Sequence, residues 1–260
     1  MTWTIQPLLT GWIHGYKAHF LTLGRGAAEV VDIPSLAWLL RGPGGPVLVD
    51  TGMCESERAA RYHYPGSRQE PGQRIDEALA VAGMAPSDIR LIVLTHLHWD
   101  HCHNLYRFPG ARVVVQRREW DFARDPLPPY YRSYEHPLLG LEPPFAGLRP
   151  ELLEGEARIA GGLTVFPTPG HSPGHQSLRV ETAAGTYIVA GDAVMCSENL
   201  AGDPAHHLPF IMIGRYMNLE EAWRSLERIR AMGGTVLPGH EATVLAKPHY
   251  PSGSHASLSS

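Results

Sequence analysis

Apolar and polar positions alternate along the chain in short runs that predict strands, with a few helices between them. Residues 3–9 and 16–23 carry strand-type patterning, and Leu36 to Leu40 with Val47 to Val49 read as a hairpin closed by the GPGGP turn. A polar stretch at 55–72, broken by Pro65, Gly66, Pro71 and Gly72, reads as a surface loop. Ile75, Ala78, Leu79 and Ala82 fall at helical spacing over 73–82, with Gly83 as the stop. From Ile89 to Leu94 the chain is apolar apart from Arg90, which marks a strand covered on both faces. Arg112 to Gln116 is the next strand and 117–124 a short helix. Strands resume at 163–168, 177–182 and 186–190, the last two joined through Thr182–Gly185. Asn218 with Glu221 three residues later resembles a capping box. The stripe Leu219, Ala222, Trp223, Leu226 and Ile229 then carries a helix to about Met232, before a last strand at Thr235 to Leu237.

Residues 125–150, DPLPPYYRSYEHPLLGLEPPFAGLRP, show no periodicity and are rich in proline and tyrosine. A segment this long without regular structure is usually functional, and its aromatic content argues against disorder, so it predicts a lid or pocket wall. The tail at 251–260, PSGSHASLSS, is polar. The expected organisation is one domain over 1–250 with the insert at 125–150. Strand-heavy halves flanking that insert suit a sheet sandwich with helices outside.

Composition narrows the function by exclusion. The chain has 260 residues and a formal charge of −4, which offers no basic face for nucleic acid or an anionic membrane surface. No stretch approaches the length of a membrane span, and the N-terminus lacks the basic start and long apolar run of a signal peptide. Three scattered cysteines, Cys54, Cys102 and Cys196, do not make a disulfide framework and fit a reducing, cytoplasmic setting. Histidine is the outlier, at 15 residues.

Those histidines gather at strand ends. The apolar run from Ile89 leads straight into His96, His98, Asp100 and His101. Asp50 comes directly after the strand at 47–49, His171 lies in TPGHSPGH, Asp192 ends the strand at 186–190, and His240 comes after the last strand. Sites of α/β sheets lie beyond the carboxyl ends of strands. Imidazole and carboxylate are zinc-type ligands, and this many are too many for one tetrahedral ion and about right for a pair some 3.5–4 Å apart sharing a carboxylate.

HxHxDH after a strand, a later PGH, then GD, then another PGH resembles the metallo-β-lactamase superfamily. VLVDTGM at 47–53, LTHLHWDHCHN at 94–104, VVVQRREW at 113–120, TPGHSPGHQSL at 168–178 and GDA at 191–193 are most similar to its N-acyl-homoserine lactonase group. The resemblance implies an α+β fold, a four-layer αββα sandwich with metals at one rim. It places His96, His98 and His171 on a first metal, Asp100, His101 and His240 on a second, and Asp192 between them. It implies two divalent ions, zinc first, with manganese, cobalt or iron as alternatives. Asp50 would fix a ligand imidazole's tautomer, and His175 would clasp its loop. His103 reads as pocket-lining or solvated and Cys102 as packing.

The implied reaction is opening of a lactone ring by a hydroxide held between the ions, with Asp100 or Asp192 moving the proton to the leaving oxygen. One position departs from the group. Where those lactonases carry a tyrosine three residues beyond the bridging aspartate, this chain has Met195. Tyr216, or Tyr130, Tyr131 or Tyr134, would substitute, or the substrate is not an acyl-homoserine lactone. Candidate substrate contacts are therefore Tyr130, Tyr131, Arg132, Met195, His206, His207, Arg215 and Tyr216, the two histidines being equally consistent with the surface. A small aromatic lactone of the pyridoxolactone type, a thioester or a phosphodiester are the competing substrates. A homodimer is compatible with the insert.

Overall fold

The computed structural model describes residues 2–252, so the expected polar tail falls almost wholly outside the described residues. Six strands form one sheet in the order β1-β2-β3-β4-β5-β6: Thr4–Tyr16, Val30–Arg41, Val47–Val49, Leu91–Val93, Arg112–Gln116 and Glu151–Leu153. Five form the second, β7 to β11, spanning Ala157–Ala160, Leu163–Pro167, Gln176–Thr182, Gly185–Val189 and Thr235–Leu237, with β11 beside β10 and β7 at the far edge.

Three apolar layers show how the sheets stack. Trp38, Val49, Val93 and Val114 of the first sheet meet Val165, Leu178, Val180 and Val189 of the second. The opposite residues of the first sheet, Leu39, Leu48, Ile92, Val113 and Val115, pack on the helix Ile75–Val81 and on Tyr134 and Phe145 of segment 125–150. Phe166 and Ile188 of the second sheet cover Leu226 and Ile229 of the helix Leu219–Met232. The result is helix, sheet, sheet, helix. Strands β3 to β5 are apolar at every central position because both of their faces are covered.

Direction then positions the site. β3, β4, β5 and β6 run parallel, β10 and β11 run parallel, and β8 shares their direction because both β8 and β10 are antiparallel to β9. Asp50, the His96 loop, His171, Asp192 and His240 each lie just past the carboxyl end of one of these strands.

Three local expectations are corrected. Residues 16–23 are not a strand: β1 runs on to Tyr16 and Lys17–Phe20 makes a helical turn. The strand continues through the glycines because the chain kinks at Gly11 (φ 143°), where a Cβ would lie 2.4 Å from the Met53 sulfur. Residues 55–72 are not a plain surface loop. They hold a helical turn at Ser56–Arg58 and a wider π-type turn at Ala59–His63, with Ala59 and His63 buried. Two short strands, β6 and β7, lie where no alternation signalled them. Segment 125–150 is packed in place, with Tyr134, Glu135, Leu141 and Phe145 buried.

Candidate metal centre

The strand-end residues meet at one rim. Ligand-type atoms of His96, His98 and His171 lie within 4.8 Å of one another, as do those of His96, His101 and Asp192, and those of Asp100, His101 and His240. All seven side chains are buried, Asp100 being the most exposed at 8 %. Asp192 stands between the two sets, its Oδ2 at 3.2 Å from His171 Nε2 and its Oδ1 at 3.2 Å from both His101 Nε2 and His240 Nε2.

Hydrogen bonds on the outer nitrogens decide what the inner ones are. His101 Nδ1 donates to Asp50 Oδ2 at 2.9 Å, His171 Nδ1 to the Arg215 carbonyl at 2.9 Å, and His240 Nδ1 to the Pro34 carbonyl at 2.7 Å. The Thr95 hydroxyl donates to Asp50 Oδ2 and therefore accepts from His96 Nδ1. Held by Nδ1, these four imidazoles turn Nε2 inward, where in the neutral form it is a bare lone pair. There they face each other, His98 Nδ1 (3.0 Å from His171 Nε2) and two carboxylates. His96 Nε2, His101 Nε2 and Asp192 Oδ1 have no hydrogen-bond partner despite full burial. Buried acceptors pointed at acceptors are costly unless a cation sits among them. The donor set therefore fits a pair of divalent ions.

The charges agree. Burial, then the neighbouring imidazoles, push His96 and His98 well below the usual histidine range. Burial alone would lower His101 and His240 too, but the carboxylates, Asp192 foremost, outweigh it and raise both. Burial would raise Asp192, yet His240, His101 and His171 hold it well below the usual carboxylate range.

Asp50 takes Thr95 N–H and the Thr95 hydroxyl at 2.8 Å each as well as His101, so it joins the first sheet to the cluster. His175 accepts the Asp192 backbone N–H at 2.9 Å and meets the Thr168 hydroxyl at 2.9 Å, and burial lowers it to about 3, so it is a neutral clasp. The Cys102 thiol donates to the Leu97 carbonyl, and burial pushes it well up, which suits packing.

Glu119 is a site residue that sequence reading misses. Fully buried, it accepts from Leu97 N–H, Gly174 N–H, the Ser172 hydroxyl and the Tyr134 hydroxyl. It ties the His96–His101 loop to the His171 loop. A lone acid within RREW carries no such signal, although that stretch lies in the family wording.

The expected substrate residues divide. Met195 and Arg215 line a narrow recess of about 20 Å³ over His98, Asp100, His171 and Asp192. Tyr130, Arg215 and Tyr216 line an adjoining groove of about 370 Å³. Tyr131 instead stacks on His136 with centroids 3.9 Å apart, and Arg132 donates to the Tyr62 carbonyl with its guanidinium 4.4 Å over the Tyr64 ring. Tyr134 is no substrate donor, because its hydroxyl is spent on Glu119. His206 and His207 do not reach the site: both are exposed, and His206 pairs with Asp203 at 2.5 Å. His103 is neither solvated nor in the recess, its Nδ1 lying 3.5 Å from Glu135.

A family model for the metallo-β-lactamase superfamily matches residues 30–240. The chain belongs to the metallo-β-lactamase superfamily. Within it, an N-acyl homoserine lactonase of Bacillus sp. is 31 % identical over 223 residues, covering 82 % of this chain and 83 % of that protein. The lactonase AttM of Azorhizobium caulinodans is 28 % identical over 243 residues, with 86 % and 88 % covered. Among solved structures, AiiA of B. thuringiensis with N-decanoyl-L-homoserine at its active site superposes with a TM-score of 0.77 at 24 % identity, over 94 % of this chain and 95 % of that one. The dizinc quorum-quenching lactonase AidC gives 0.69 at 17 %, over 92 % and 88 %. Superfamily membership accounts for the αββα stacking and for the gathering of ligands at one rim. Among the described residues no helix is long and apolar enough to cross a membrane.

Proposed function

We propose that the protein is a metal-dependent hydrolase that opens a lactone ring, adding water across the cyclic ester to give an open hydroxy acid. The observation that carries this reading is the set of inward-facing, partnerless nitrogens around Asp192, found in a chain similar to N-acyl homoserine lactonases. His96, His98 and His171 would hold one ion, Asp100, His101 and His240 the other, with Asp192 shared. Zinc is the favoured identity, because imidazole nitrogen and carboxylate oxygen suit it in sites that keep a position open for catalysis. When bound, the ions supply Lewis acidity and lower the pKa of water towards 7.

The chain's own residues do the rest. Asp192 draws the two ligand sets together. Asp50, Thr95 and the Arg215 and Pro34 carbonyls fix the imidazole tautomers, so no nitrogen has to turn during a reaction cycle. Asp100, the most exposed of the seven and a lining residue of the recess, would pass a proton to the departing ring oxygen. Three unpaired, buried cysteines support a cytoplasmic setting, and the exposed Leu127, Leu138 and Leu139 support self-association through segment 125–150.

The test is a metal count on purified protein paired with pH-drift assays over lactones, thioesters and bis-aryl phosphates, run with zinc, manganese and cobalt. Lactone opening that disappears on chelation and returns with added metal is expected. Chelator-stripped protein that hydrolyses lactones as fast as untreated protein overturns the reading, as does turnover of thioesters or phosphodiesters alone.

A further inference from the structure

Arg215 stands at the junction of the recess and the groove, beside His98 and His171 in both. Its backbone carbonyl orients the His171 imidazole, so the residue cannot drift from the cluster. Its guanidinium is held by neutral acceptors only. Nη1 donates to the Tyr64 hydroxyl at 2.9 Å and lies 3.2 Å from His19 Nε2, while Nη2 donates to the Ser133 hydroxyl at 2.7 Å. Burial, then Arg215 and Arg132, lower His19, which keeps that ring neutral and able to accept.

Among the described residues no carboxylate pairs with this guanidinium. A guanidinium carries five N–H donors. The three contacts leave Nε and the second Nη2 hydrogen uncommitted. Arg58 shows what the same atoms do when paired: its Nε and Nη2 grip the two oxygens of Glu135 at 2.8 Å each. Arg215 therefore keeps Nε and one Nη2 hydrogen free of protein partners while lining a recess over a cluster that fits two more cations. Arg132, stacked on the same Tyr64 ring, adds a second positive charge acting on His19. Meanwhile Met195 and Phe20 line the recess with apolar surface and offer no hydroxyl. A long neutral acyl chain would use none of the fork.

We propose that Arg215, positioned by Tyr64, Ser133 and His19, forms an anion subsite that makes it the specificity-determining residue for lactones bearing a carboxylate substituent on or beside the ring. This rests on the lactone reading above. The guanidinium fork matches a carboxylate bidentately, an interaction stronger than hydrogen bonds between neutral groups.

The experiment compares matched pairs on metal-loaded protein: γ-butyrolactone against 5-oxotetrahydrofuran-3-carboxylate, and phthalide against its carboxylated isomers. Wild type is expected to favour the carboxylated member by about tenfold or more in kcat/KM, in keeping with a charge-assisted hydrogen-bond pair. Arg215→Gln should compress that ratio to about threefold or less, chiefly through KM, and Arg215→Lys, which keeps the charge without the fork, should fall between. A wild-type ratio near one overturns the proposal, as does a ratio that Arg215→Gln leaves intact or a loss equal for both members. Calorimetric titration with phthalate separates the two readings. If no lactone is opened while phthalate binds wild type about tenfold more tightly than Arg215→Gln, the subsite stands and the lactonase reading falls. Equal binding to both proteins removes the subsite whatever the reaction.

Discussion

Among the described residues there are two buried clusters of ligand-type side chains, and one of them fits metal. Cys54, His63 and Glu135 place their ligand atoms within 4.8 Å of one another, as closely as the histidines and aspartates at the rim do. The second cluster, however, is already neutralised. Arg58 takes both Glu135 oxygens, His63 Nε2 meets Oε1 at 2.8 Å, and His103 approaches Oε2. Burial would raise Glu135, but those three partners hold its carboxyl well below the usual range. At the rim the carboxylates pair with no guanidinium but with imidazoles, four of which (His96, His101, His171 and His240) direct Nδ1 at an outer acceptor. Ligand-atom spacing is alike in the two clusters. What separates them is where the positive charge comes from. They are also neighbours, for His63 stacks on Trp99, inside the metal loop, with centroids 3.9 Å apart. Each is organised by an acid with left-handed backbone, Asp50 at φ 60° and Glu135 at φ 50°, a conformation kept because the carboxylate is fully bound.

The largest effect expected from breaking this contrast is at the rim. Asp192→Ala should lower lactone turnover by at least about a thousandfold and reduce bound metal, measured by initial rates and elemental analysis on one preparation. Unimpaired rates would show that Asp192 is not shared between ions. In the other cluster, Glu135→Gln should leave the metal count unchanged but destabilise the fold by about 3–5 kcal/mol, because Arg58 is left partly buried without its counter-charge. Urea unfolding reads that loss, and a lowered metal count without a stability change would reverse the two assignments. Asp50→Asn keeps the shape and tolerates the left-handed backbone, so its effect should be confined to metal affinity, about 10–100-fold weaker by competition with a chelating dye. Cys54→Ala is the mildest. It should leave metal stoichiometry at the wild-type value, and any fall in the count would make Cys54 a ligand.

Much of the rim is legible in the sequence because its residues sit next to strong strand signals. The apolar run ending at Leu94 announces a doubly covered strand, and residues directly after such a strand lie at its carboxyl end. Asp50, His171, Asp192 and His240 follow strand ends by the same logic, while His175 hydrogen-bonds within its loop and to the Asp192 backbone, and Cys102 to the Leu97 carbonyl. Other features have no local signal. The π-type turn at Ala59–His63 hides in a polar stretch because its burial depends on Glu135, 72 residues beyond His63. His103 escapes local reading for the same reason. His206 and His207 attract a substrate role only by their nearness in sequence to Asp192.

The sequence by itself determined the order of most strands and helices, the donor types at each strand end and hence the chemistry available to them, because periodicity and strand-end position are local properties. Tertiary structure alone decided which acids would be hubs, which imidazole nitrogens face inward, and which arginine has a partner. Glu119, Glu135 and Arg215 acquire their roles from residues 15 to 196 positions away. Charge in a low-dielectric interior is settled by what packs against it, and no local pattern records that.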